Sequence, residues 1–265
     1  MTSGVSKTIS FVESCLVADM GNHQISLSRL KVIILFPFAL LLFYSVFLAF
    51  PVTRQAALWT LEENGPVELL TFLFAMVGGI QGLVLVQQVR EHREPILVSG
   101  FYLAFSAGLI FLGMEEVAWG QWFFGFETPT YWNEINNQEE LTLHNLEIFN
   151  HHLEIFPLIF GLGGLVGAWL SSRPWVPHIT PPLILLPWFL LITIVSSIDL
   201  IQDFYILQKQ LDYLVNFLDE VIELMVGISG FLFIWFGKKK FGIVWKKKMG
   251  RVDCEERFKQ TSPFG

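Results

Sequence analysis

The sequence predicts an all-α polytopic membrane helix bundle of about six transmembrane helices, with an amphipathic helix on its outer face. Three observations carry this prediction. Of the 265 residues, 53% are hydrophobic, and mean hydropathy is +0.53. Only 15% are charged, where a soluble globular chain carries about 25%. Finally, six apolar runs approach the length of about 20 residues needed to cross roughly 30 Å of hydrocarbon.

In chain order, residues 1–31 form a cytoplasmic amino-terminal segment. Glu13 and Asp19 interrupt its apolar stretch, so it does not read as a secretory signal. The membrane domain covers residues 32–236, with expected spans at Val32–Phe50, Pro66–Val86, Ile96–Met114, Ile155–Ser171, Pro182–Ile198 and Val221–Phe236. The last is the least apolar, because only its portion after Glu223 is free of charge. Small residues in Gly161–Gly167 suit close helix packing. A long outer loop, residues 115–154, is rich in aromatics and amides, and loops of that length are usually functional. Residues 237–265 are a basic cytoplasmic tail.

Charge sets the orientation. The amino-terminal segment, the second and fourth connections and the tail hold 15 of the 17 Lys and Arg. By the positive-inside rule this puts both termini in the cytoplasm, in a multi-pass protein of the inner (plasma) membrane. The opposite side carries 17 of the 24 acids, with only Arg54 and Lys209 to oppose them. A net charge of -7 excludes a nucleic-acid partner, since a phosphate backbone would be repelled. Membrane lipid and a lipid-like small molecule are the expected partners. Cys15 and Cys254, near opposite termini, read as free thiols.

The acids differ by helix position. Glu68 falls in the first turn of the second span, where the helix dipole welcomes a carboxylate and a capping box is available. Asp219, Glu220 and Glu223 also begin a helix, with Glu223 the deepest. Glu115 and Glu116 stand at the carboxyl end of the third span, and Asp199 and Asp203 at that of the fifth, where the dipole disfavours them. Such carboxylates must be protonated, paired or bound to a cation, and intramembrane ionisable groups are functional candidates by default. Further on, Glu140, His144, Glu147, His151 and Glu154 are separated by 4, 3, 4 and 3 residues. On a helix that spacing makes one stripe able to hold a divalent metal ion, with zinc, manganese and iron as the candidates. The same stripe equally suits the polar face of an interfacial helix. The expected catalytic pair is therefore Glu115 and Glu116, and the expected metal ligands are Glu140, His144, Glu147, His151, Asp199 and Glu223.

The runs "EEVAWGQWFFGFETP" and "EINNQEELTLHNLEIF" resemble a signature of uncharacterised bacterial polytopic membrane proteins, carried here by Glu115, Glu116, Trp119, Gly120, Gln121, Asn136, Gln138, Glu140, His144 and Asn145. That resemblance implies a site and no particular reaction. Alkaline ceramidases also combine histidines, acids and a metal in a membrane, but this chain lacks a His-x-x-x-His pair in its last span and has six expected spans where that family has seven. The leading expectation is a metal-dependent membrane enzyme acting on a lipid-like substrate from the outer side. An ion- or proton-coupled transporter and a non-catalytic assembly or sensor protein are the alternatives. Span centres nearly devoid of charge weigh against the transporter.

Overall fold

A computed structural model of the chain describes residues 19, 21, 23–62, 64–136, 140–143, 155–171, 178–204 and 209–261. The expected all-α membrane bundle is what they form. Helix α1 spans Leu27–Ala49, α2 Pro51–Leu61, α3 Pro66–Glu91 and α4 Ile96–Glu115. Short helices α5, Gln121–Phe124, and α6, Thr130–Ile135, follow in the long loop. Then come α7, Ile155–Leu170, α8, Leu186–Phe204, which is preceded by a 3-10 turn at Leu183–Leu185, and α9, Lys209–Thr261. Among the described residues, four helical segments, Leu27–Ala49, Pro66–Glu91, Ile96–Glu115 and Leu183–Ile201, are long and apolar enough to cross a membrane. Helix α7, at 16 residues, is apolar but shorter.

Local chemistry fixes the helix ends. The Ser26 hydroxyl accepts from the Arg29 N–H at the start of α1. Pro51 and Pro66 open α2 and α3, where a missing N–H costs nothing. Arg54, one of two basic residues on the acidic side of the sequence, donates through Nε to the Leu48 carbonyl at 2.8 Å. It thus complements the carboxyl end of α1. Glu68 accepts the Asn64 N–H at 2.6 Å, close to the capping-box arrangement expected of it.

Helix α9 is the centre of the bundle and packs against α1, α2, α3, α4, α7 and α8. The segment expected to be the weakest span, Val221–Phe236, is mostly buried, with Val221, Met225 and Ile234 fully so. Surrounded by protein rather than lipid, it tolerates carboxylates that an outer helix could not. Antiparallel α3 and α4 pack closely because Gly82 leaves room for the buried Ser106, whose hydroxyl bonds back to the Tyr102 carbonyl. Helices α7 and α8 approach in the same way, Gly161 facing Thr193 and Gly164 facing the Phe189 ring. Of the glycines in Gly161–Gly167, Gly161 and Gly164 therefore pack helices as their sequence suggested, while a Cβ at Gly163 would meet nothing within 4 Å. On the outside, α1 exposes Leu35, Leu42 and Phe43, a surface suited to lipid.

The two ends of the bundle differ in charge. At one end the start of α3, the end of α4 and the first third of α9 bring together Glu68, Glu115, Glu116, Glu220 and Glu223. At the other, His92 stacks on Trp245 at 3.8 Å, Lys238 donates to Gln81 at 3.4 Å, and the Tyr102 hydroxyl donates to the His178 carbonyl at 2.9 Å.

Candidate functional site

The acidic end is built on the turn that terminates α4. Glu115 is 6% exposed, and both its oxygens are used: Oε1 accepts from Trp119 Nε1, and Oε2 accepts the Leu143 N–H at 2.7 Å. Ala118 and Trp119 adopt left-handed φ of 44° and 53°, and Gly120 continues at 93°. Non-glycine residues adopt that region at a cost, so this turn is strained and its bonds to Glu115 hold it. Gln121 completes the clamp, donating to Thr128 Oγ1 at 2.7 Å and accepting the Leu141 N–H at 2.9 Å. Asn136 is buried and donates to the Thr142 carbonyl at 2.9 Å. The residues Glu115, Trp119, Gly120, Gln121 and Asn136 thus fasten segment 140–143 over the end of α4.

Glu116, in the turn beyond α4, points elsewhere. Its carboxylate meets Glu220 and Glu223 of α9, with one oxygen from each lying within 4.8 Å of the others. Residues 220 and 223 share a helix face at i, i+3, which is why both reach the same point. Burial first, and the charges of Glu223 and Glu220 second, push the Glu116 carboxyl well above the ordinary carboxylate range. Three carboxylates this close cannot all carry charge without a proton or a cation among them.

Beside these acids lies a cavity of about 450 Å³. Its walls are apolar, from Phe105 and Leu112 of α4, Phe156 and Phe160 of α7, and Val226 of α9; Glu115, Glu116 and Glu223 stand at its polar end. Its volume falls in the range of about 300–1,000 Å³ usual for small-molecule pockets.

The expected site residues separate into three groups. Glu115, Glu116 and Glu223 come together at the cavity. Asp199 is buried at 5% exposure in α8, outside the carboxylate trio, and Glu140 is half-buried in the clamped segment. There the chain bends at Glu140, Leu141 and Leu143 rather than starting a helix. His144, Glu147, His151 and Glu154 lie outside the described residues, as does the side chain of Asp203. Glu220, expected with Asp219 and Glu223 at a helix start, stands inside α9, which begins at Lys209. Its i, i+3 spacing from Glu223 was the signal that could have paired them. The cavity wall had no such signal, since Phe105 and Phe160 look like any other span residues.

Comparison of the chain with protein-family profiles, with curated protein sequences and with solved structures gives no match.

Proposed function

We propose that this protein is a metal-dependent membrane enzyme that receives a lipid-like substrate in the apolar cavity and acts on its polar part at the acidic end, which faces away from the cytoplasm. The observation carrying this reading is the junction of a 450 Å³ apolar cavity with the carboxylates of Glu116 and Glu223, which also belong to the trio completed by Glu220. An all-oxygen donor set suits a hard divalent cation, so of zinc, manganese and iron it favours manganese. Such an ion would polarise a substrate oxygen or activate water, and it would remove the repulsion among the three acids. Glu116 would hold the ion together with Glu220 and Glu223, while Glu115 positions the turn that carries Glu116. The transporter reading gains no comparable observation.

The test is Mn²⁺ binding to the purified full chain in detergent, followed by electron paramagnetic resonance and elemental analysis. Wild type should bind the ion, and Glu116→Gln/Glu223→Gln should lose it. His144→Ala/His151→Ala, measured alongside, shows whether the histidine stripe contributes. Negligible metal in wild type and variants alike would sink the metal-dependent reading.

A further inference from the structure

The cavity has a second property besides its acidic end. Its walls come largely from α4 and α7, which pack little against each other; their Phe105 and Phe160 rings lie 6.2 Å apart. On the rim between these helices Gly108, Phe111 and Phe156 are exposed, so the cavity meets the outside through the side of the bundle. Gly108 is seven residues before Glu115, about 10 Å along the helix axis. If the acids stand at headgroup level, this opening lies within the hydrocarbon layer, whose half-thickness is about 15 Å. A Cβ added at Gly108 meets nothing within 4 Å, so the residue borders open space.

We infer that the gap between α4 and α7 is a lateral portal through which one hydrocarbon chain of a bilayer lipid enters the cavity, and that Gly108 keeps it open. This rests on the reading of the cavity as a lipid-substrate site, but does not require the metal. The occupant follows from depth and chemistry. An opening at hydrocarbon level is reached from lipid rather than from water, and the wall behind it is Phe and Leu. Glu115, Glu116 and Glu223 line the same cavity, where the polar part of the same lipid would meet them. Water-soluble ligands would have to cross acyl chains to use this route.

The experiment uses the full chain in vesicles of phosphatidylcholine and phosphatidylglycerol doped with a phosphatidylcholine carrying a diazirine in mid-chain. After photolysis, adducts are mapped by residue. Wild type should be labelled at the cavity wall, Leu109, Leu112 and Phe160, as well as on the outer face of α1 at Leu35 and Leu42. Gly108→Trp should lower wall labelling by at least about tenfold and leave α1 labelling unchanged. Gly108→Leu, a milder filling, should give an intermediate loss and guards against misfolding of the Trp variant. Wall labelling equal in wild type and both variants, or absent from wild type, overturns the portal. Glu116→Gln/Glu223→Gln should keep its wall labelling, so loss of the metal reading and loss of the portal are separate outcomes.

Discussion

Glu115 and Glu116 are neighbours in sequence with opposite employment. The Glu115 carboxylate accepts from Trp119 and Leu143 and holds a strained left-handed turn, whereas Glu116 faces Glu220 and Glu223. Removing a buried charged acceptor leaves its donors unsatisfied, at about 1–3 kcal/mol. Glu115→Ala should therefore lower thermal stability in detergent and raise protease cleavage near residues 140–143, while Glu116→Gln should leave both nearly unchanged because it relieves repulsion. Equal destabilisation by the two would contradict this division. That both residues stand where a carboxylate needs a partner was legible from their place at a helix carboxyl end, where the dipole is unfavourable. Their separate tasks were not, because adjacent residues on a turn point in different directions and only the partner helices decide what each meets. The run Glu-Glu-x-x-Trp-Gly-Gln at 115–121 has its physical account here: two acceptors, an indole donor, a left-handed glycine and a bridging amide.

At the scale of elements, helices were more legible than the loop. Four of the expected spans coincide with helices long and apolar enough to cross a membrane, since a long apolar run has few structures open to it in lipid; Ile155–Leu170 is shorter, and Val221–Phe236 is part of the 53-residue α9. Tight pairing of α3 with α4 was hidden, because it depends on Gly82 meeting Ser106 across the interface rather than on any run. Gly82→Val should push these helices apart and cost about 1–3 kcal/mol by overpacking. Thermal unfolding in detergent would read this, with Gly100→Ala as the control, because a Cβ there meets nothing within 4 Å. An unchanged midpoint for Gly82→Val would show the interface to be looser than its geometry. Val221–Phe236 illustrates the opposite error of emphasis. Its weak apolar signature reflects a segment wrapped by protein, so the least lipophilic of the expected spans is the one at the centre of the bundle.

Across the whole molecule, the two charged ends are tied together differently. At the basic end the chain before α1 folds back: Asp19 accepts the Leu183 N–H at 2.7 Å, and the His23 ring, 4% exposed, packs edge-on to Phe236. Burial first, then the charges of Lys240 and Lys239, pull the His23 pKa from 6.5 to about 4. Between those values the unfolded chain binds the proton more readily than the folded one, so stability should fall as pH drops from about 6.5 to about 4. Asp19, whose carboxyl burial raises, acts in the opposite sense. Comparison with His23→Gln isolates the histidine: melting temperature against pH should be flatter for that variant, and identical slopes would refute the assignment. The charge segregation behind this was readable from the positive-inside pattern, but the docking of residue 23 was not, since nothing local marks one histidine as buried.

Helix α9 runs without a proline from Lys209 to Thr261. From Glu223 to its far end is roughly 55 Å of continuous backbone hydrogen bonding. Two of the three clustered carboxylates thus stand on the same unbroken helix that carries the basic tail, so one rigid element joins the two charged ends of the molecule.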